Sequence, residues 1–158
     1  MSAKTIRDID VIRTFVLQGT LNFTRYFFKI RQKRKFVVGK HHREIAAALD
    51  KVLCGEITRL IINIAPRYGK TELAVKNFIA EGLAINPKAK FIHLSYSDDL
   101  ARDNSRGVQD IINEPEYRRI FPATIPTSTN TKKWYTTEGG GLYAVSYTHL
   151  TLPTKRIV

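Results

Sequence analysis

The chain has 158 residues, 43% of them hydrophobic, which is enough for one domain with a real core and too little for two large ones. Its apolar runs are far shorter than the roughly 20 residues a spanning helix requires, so no membrane contact is expected, and the single Cys54 excludes an internal disulfide and favours a reducing setting. The formal net charge is +12, with eleven Lys and Arg against only Asp8 and Asp10 in the first 43 residues, a pattern that suits an anionic partner.

The spacing of Ile9, Ile12, Phe15 and Val16 predicts a helix from Asp8 to Gln18, stopped at Gly19, and a second helix begins near Leu21. Arg25-Tyr26-Phe27-Phe28-Lys29-Ile30-Arg31-Gln32-Lys33-Arg34-Lys35 mixes aromatics with cations. That composition suits phosphate contacts more than base readout; the alternative is a solvated helix with Phe27, Phe28 and Ile30 packed inward. His41 to Leu53 is amphipathic, with Ile45, Ala46, Leu49, Val52 and Leu53 on its inner face and Gly55 beyond its end. His41, His42, His93 and His149 are scattered and, with one cysteine, give no zinc spacing, so no structural metal is expected.

Arg59 to Ile64 reads as a buried strand, rich in β-branched and apolar side chains. It runs into Ala65-Pro66-Arg67-Tyr68-Gly69-Lys70-Thr71-Glu72, after which Leu73, Ala74, Phe78, Ile79 and Leu83 recur at helical spacing up to Gly82 and Asn86-Pro87. Strand, tight loop and a helix starting at Gly-Lys-Thr are the parts of a phosphate-binding loop. Its backbone N–H groups and helix start bind phosphates, the Lys reaches the outer ones, and the Thr hydroxyl helps hold magnesium. The usual Gly five residues before Gly69 is replaced by Ile64, so the loop is a variant; an ordinary strand-to-helix turn with an exposed Lys is the plainer reading.

Lys90 to Ser97 reads as the next strand and Asp98 to Asn113 as the next helix, capped by Ser97 or Asp98. The alternation implies a right-handed crossover and a parallel α/β sheet with flanking helices, preceded by the N-terminal helices. Thr124 to Thr131 is an expected loop, and Lys133–Thr137 with Leu142–Val145 an expected hairpin around Gly139-Gly140-Gly141. No helical pattern follows that triplet, which favours a turn over a second phosphate loop.

Several blocks together resemble the large terminase subunits of tailed bacteriophages, ATP-driven motors that package DNA into capsids. They are Phe23-Thr24-Arg25-Tyr26-Phe27-Phe28, Phe36-Val37-Val38, His41-His42-Arg43-Glu44-Ile45, the run from Gly55 to Glu72, and Ser95-Tyr96-Ser97 with Leu100-Ala101 and Ser105-Arg106 behind it. The Pro66-Arg67 pair before Gly69-Lys70-Thr71 is the variant loop typical of that family. The resemblance covers about residues 20 to 145 and implies a P-loop NTPase fold, present only in part.

It further implies ATP and Mg2+ as ligands. Lys70 would contact the β and γ phosphates, Thr71 would face the magnesium, and Arg67 would sense or stabilise the γ-phosphate. Pro66, Tyr68, Gly69 and Glu72 complete the loop, and His42 lies where related motors pack the adenine. The Ser97–Arg106 region stands where such motors couple nucleotide state to DNA grip, or it simply caps and solvates a helix. Implied partners are double-stranded viral DNA, a small terminase subunit, the portal and further copies in a ring, in the cytoplasm of the bacterial host and transiently at the procapsid.

An apolar strand ending in the catalytic Asp is missing, because Ser95-Tyr96-Ser97 separates Phe91-Ile92-His93-Leu94 from Asp98-Asp99. The nuclease carboxylates are missing too, so no hydrolysis is expected from the fragment itself. Ser146 to Val158 resembles the conceptual translation of a sequencing adapter. The expected organisation is therefore a basic helical segment over 1–54, a partial ATPase core over 55–145 and a non-native tail over 146–158. Two other readings remain, a helicase-type nucleic-acid-dependent ATPase and a non-catalytic basic nucleic-acid-binding module.

Overall fold

A computed structural model describes residues 3–147, with side chains from residue 8 onward; most of the adapter-like tail lies outside these. Helices α1 (Ala3–Val16), α2 (Thr20–Gln32) and α3 (Lys40–Leu53) come first. A π-helical stretch, Glu72–Asn77, then runs into α4 (Phe78–Ile85). Strand β1 (Lys90–Ser95), α5 (Asp98–Asn113), α6 (Pro115–Ile120), β2 (Lys133–Tyr135) and β3 (Gly141–Ser146) complete the order. Among the described residues, no helix is long and apolar enough to cross a membrane.

The fold is α/β with a small mixed sheet: the expected hairpin supplies its antiparallel pair, and only one parallel pair is present among the described residues. β3 lies in the middle, parallel to β1 through Phe91↔Leu142 and Leu94↔Val145, and antiparallel to β2 through Trp134↔Leu142. The expected strand at Arg59 to Ile64 does not form. The segment has no regular secondary structure and joins no ladder among the described residues. Ile62 and Ile64 dock on Ile45, Leu49 and Leu73, while Ile61 is 86% exposed. A strand of a parallel sheet is buried on both faces and hydrogen-bonded on its edges; this segment has one buried side and no ladder. The crossover predicted from it to β1 therefore does not exist as a parallel pair.

The main core lies where α2, α4, α5 and the hairpin meet. Phe23 and Phe27 pack 4.6 Å apart between ring centroids and meet Tyr117 and Phe121, with Leu83, Val108, Ile111, Ile112 and Trp134 around them. The buried polar tips are satisfied: Tyr117 Oη donates to the Ala80 carbonyl at 2.8 Å and Trp134 Nε1 to Ser105 Oγ at 2.9 Å. Burial makes such partners obligatory.

Gly82, expected to help end a helix, lies inside α4. A Cβ there would stand 2.5 Å from Phe91 Cζ, so this glycine is a seat for the β1 aromatic. Ser97 caps α5 as predicted, its Oγ accepting from Leu100 N at 3.4 Å. On the far side of the sheet Ile92, Leu94 and Tyr143 are exposed.

Candidate functional site

Between the 59–64 segment and the π-helical stretch the chain makes a tight turn at Pro66, Arg67, Tyr68 and Gly69. Arg67 and Gly69 both take left-handed backbone, at φ 69° and φ 73°. Gly69 does so freely, whereas Arg67 does so at a cost of about 1–2 kcal/mol. Strain of this kind collects at ligand-holding loops. The helix begins at Lys70, and Leu73 N closes its first turn on Gly69 O at 3.0 Å. A helix start leaves its leading N–H groups without intrahelical acceptors, carrying the positive end of the dipole.

Lys70 is exposed and its Nζ donates to the Ile64 carbonyl at 3.3 Å. The ammonium thus lies folded back across the mouth of the loop. Thr71 is half-buried in the same first turn, and Pro66, Arg67 and Tyr68 are exposed around it. The leading N–H groups and Lys70 are donors of the kind an anion needs, and Arg67 adds a cation in the turn before them. For magnesium the loop offers the Thr71 hydroxyl alone, which fits an ion held chiefly by phosphates and water, the habit of Mg2+. Among the described residues no three His, Cys, Asp or Glu side chains converge as a metal site.

His42 holds the turn from behind. Its Nδ1 accepts from Gly39 N at 2.9 Å, so its Nε2–H is free to donate to the Tyr68 carbonyl, also at 2.9 Å. Burial, reinforced by His41 alongside, lowers its pKa and keeps it neutral in this double role. Gly69 leaves no room for more: a Cβ there would lie 2.9 Å from His42 Nε2. Both ring nitrogens of this candidate adenine contact are thus committed to backbone. Replacing His42 with Phe should cost about 2 kcal/mol, one per bond, measured as a lower urea midpoint with unchanged slope.

Glu72 faces the helices and not the mouth of the loop. Its Oε1 accepts from Arg31 Nη1 at 3.0 Å and from Asn77 Nδ2 at 3.1 Å, and Lys76 Nζ lies 3.9 Å from Oε2. Asn77 Nδ2 also donates to the Glu72 carbonyl at 2.7 Å, which helps hold the wider π-helical turn. Such turns recur at functional sites.

A hollow of about 480 Å³ opens beside the loop, within the usual range for a small-molecule site. Phe28, Phe36, Val37, His41 and Tyr68 supply its apolar walls, and Arg34, Lys35 and Arg67 its cations. Rings follow one another along it, Phe28 to Phe36 at 5.1 Å, Phe36 to His42 at 4.9 Å and His41 to Tyr68 at 5.4 Å. The structure thus brings Arg67, Tyr68, Gly69, Glu72 and His42 together around one hollow.

Phe28, Arg34 and Lys35 were not foreseen here; their signal was the cation-aromatic run, read equally as a phosphate-contacting surface or as a solvated helix with Phe27, Phe28 and Ile30 packed inward. The Ser97–Arg106 residues have local partners instead. Asp98 pairs with Arg102 at 2.7 Å, Asp103 with Arg106 at 3.3 Å, and Asn104 Nδ2 donates to His93 Nε2 at 3.1 Å. No family model, curated protein or solved structure matches the chain.

Proposed function

We propose that the chain binds ATP with magnesium at the Pro66–Thr71 loop, as the nucleotide-binding part of a phage terminase large subunit. The observation that carries the reading is the loop itself: left-handed Arg67 and Gly69 lead into a helix that starts at Lys70, next to an aromatic-walled hollow. Helix N–H groups and Lys70 would hold the β and γ phosphates, Arg67 the outer oxygens, and Thr71 the phosphate-bound magnesium. Phe36, Val37 and His41 offer the base a flat apolar seat. The bound nucleotide would bring the phosphoryl group to be transferred; this chain's residues bind and orient it.

The P-loop NTPase architecture belongs to the same proposal. A 59–64 segment that joins no ladder among the described residues, and a parallel pair open on one face, are compatible with part of such a sheet. The whole motor would hydrolyse ATP to drive double-stranded DNA into procapsids, in a ring of copies at the portal with a small subunit and a nuclease domain, in the host cytoplasm.

The test is calorimetric titration with magnesium and a non-hydrolysable ATP analogue. Saturable binding is expected, weakened at least tenfold in Lys70→Ala, since charge-assisted hydrogen bonds of about 1.5–3 kcal/mol are lost. Equal affinity in the two proteins would sink the reading. A purified chain that released phosphate rapidly, in a Lys70-dependent way, would overturn the expectation that hydrolysis needs residues beyond this site.

A further inference from the structure

The fold sorts five of the six cations of the cation-aromatic run into three groups and leaves Lys33 exposed at the end of α2. Arg31 turns inward to Glu72, its side chain only 9% exposed, and is withdrawn from any partner. Arg34 lies over the Phe28 ring, 5.7 Å from its centroid, at the nucleotide hollow. Arg25, Lys29 and Lys35 remain exposed and line a second groove of about 260 Å³, walled by Phe15, Tyr26 and Phe36, that adjoins the nucleotide hollow at Lys35 and Phe36.

We infer that this groove binds the phosphate backbone of nucleic acid. Arg25 and Lys29 stand one helical turn apart on the same face of α2, a separation on the scale of successive phosphates along a strand. Among the described residues, no carboxylate lines the groove. The nearby Glu116 is engaged, accepting from the Tyr26 hydroxyl at 3.0 Å and from Arg119 at 2.6 Å. Burial, with that hydrogen bond, pushes the Tyr26 phenol up to about 12, so it stays uncharged.

The exposed Phe15 and the half-buried Tyr26 and Phe36, set in a concavity among cations with no ion pair among the described residues, suit sugar and base planes as well as phosphates. A lipid surface would instead favour an apolar face with cations along its rim. Lys35 and Phe36 line both this groove and the nucleotide hollow, so an occupant of one touches the wall of the other. The inference deepens the motor reading and rests on it in one respect, that such a motor must hold nucleic acid.

Fluorescence anisotropy of the full chain with a labelled DNA duplex and its single strand, over a series of salt concentrations, tests this. Arg25→Glu with Lys29→Glu should weaken binding at least tenfold. Arg25→Gln with Lys29→Gln should flatten the salt dependence by about two in log-log slope. Neither pair should alter ATP-analogue affinity, and Lys70→Ala should not alter DNA affinity, so the groove and the nucleotide site can fail separately. Lys51→Glu with Lys88→Glu changes the net charge equally at exposed sites elsewhere. If that pair weakens binding as much as the groove pair, or if the chain binds phosphatidylserine vesicles and neither DNA form, the inference is wrong.

Discussion

Gly140→Ala is expected to destabilise the protein by about 4 kcal/mol, lowering the melting temperature by about 10 °C for a chain of this size. A Cβ at Gly140 would stand 2.2 Å from the Pro87 carbonyl oxygen and 2.6 Å from that of Ala89. Both are backbone atoms and cannot swing aside as a long side chain could. The turn preceding β1 would have to move away from the hairpin. That movement would also strain the bonds from Gly141 N to Ala89 O at 2.9 Å and from Thr136 Oγ1 to Pro87 O at 2.8 Å. Overpacking of 1–3 kcal/mol and hydrogen bonds of about 1 kcal/mol each make up the figure.

Its neighbour is the control. Gly139 takes φ 86° with nothing within 4 Å of its missing Cβ, so Gly139→Ala meets only the left-handed penalty of about 1 kcal/mol. Chemical denaturation of the two variants should separate them clearly. Equal losses would mean that close backbone approach is not what this triplet provides.

The contrast also shows what could be read ahead of the fold. A turn at Gly139-Gly140-Gly141 was legible because three glycines between two alternating segments are a local signal. That Gly140 has no room for a side chain was not legible, because the clash is with residues 87 and 89, some fifty positions away in sequence, whereas Gly141 meets the backbone of Trp134 across its own hairpin. Helices α3 and α5 were legible for the same local reason: their apolar residues recur at helical spacing, and Ser97 stands where a cap belongs. Helix α6 was missed although Glu114-Pro115 carries a usual start signal, Pro in the first turn. Six residues were too few to show a period.

The candidate site divides in the same way. Gly69-Lys70-Thr71 at a helix start follows from a short motif, and the left-handed Arg67 and Gly69 give it geometric content. The strand before it failed because a strand is a relation between two segments, and Arg59 to Ile64 has the residues of one without a ladder partner. His42 and Glu72 were placed at the nucleotide by resemblance. The structure gives each additional work that only tertiary contacts reveal, His42 as the backbone clamp on Tyr68 and Glu72 as the carboxylate that recruits Arg31. A cation in a basic run carries no mark of the acid it will meet 41 residues later.

The second large effect concerns Glu81, in the same helix that leaves the loop, and predicts stability that falls as pH rises. Glu81 is 1% exposed and, among the described residues, its Oε2 has no hydrogen-bond partner. Burial, aided by the nearby Asp50 charge and opposed by the Thr20 hydroxyl, raises its pKa from 4.5 to about 8. Between those two values the folded chain holds a proton that the unfolded chain has released. The stabilisation is therefore complete below pH 4.5, is lost progressively as pH rises, and levels off above about 8. The total is on the order of a few kcal/mol.

His42 and His93, both held neutral by burial, act in the opposite sense, losing stability as pH falls through the usual histidine range. Glu81→Gln isolates the carboxyl from them, since the histidines are common to both proteins. Urea denaturation across this range should show the variant gaining on the wild type with rising pH, and nearly matching it at the acid end. Parallel curves would show that Glu81 ionises within the fold as readily as outside it, and that α2 and α4 are more open to water around it than their packing implies.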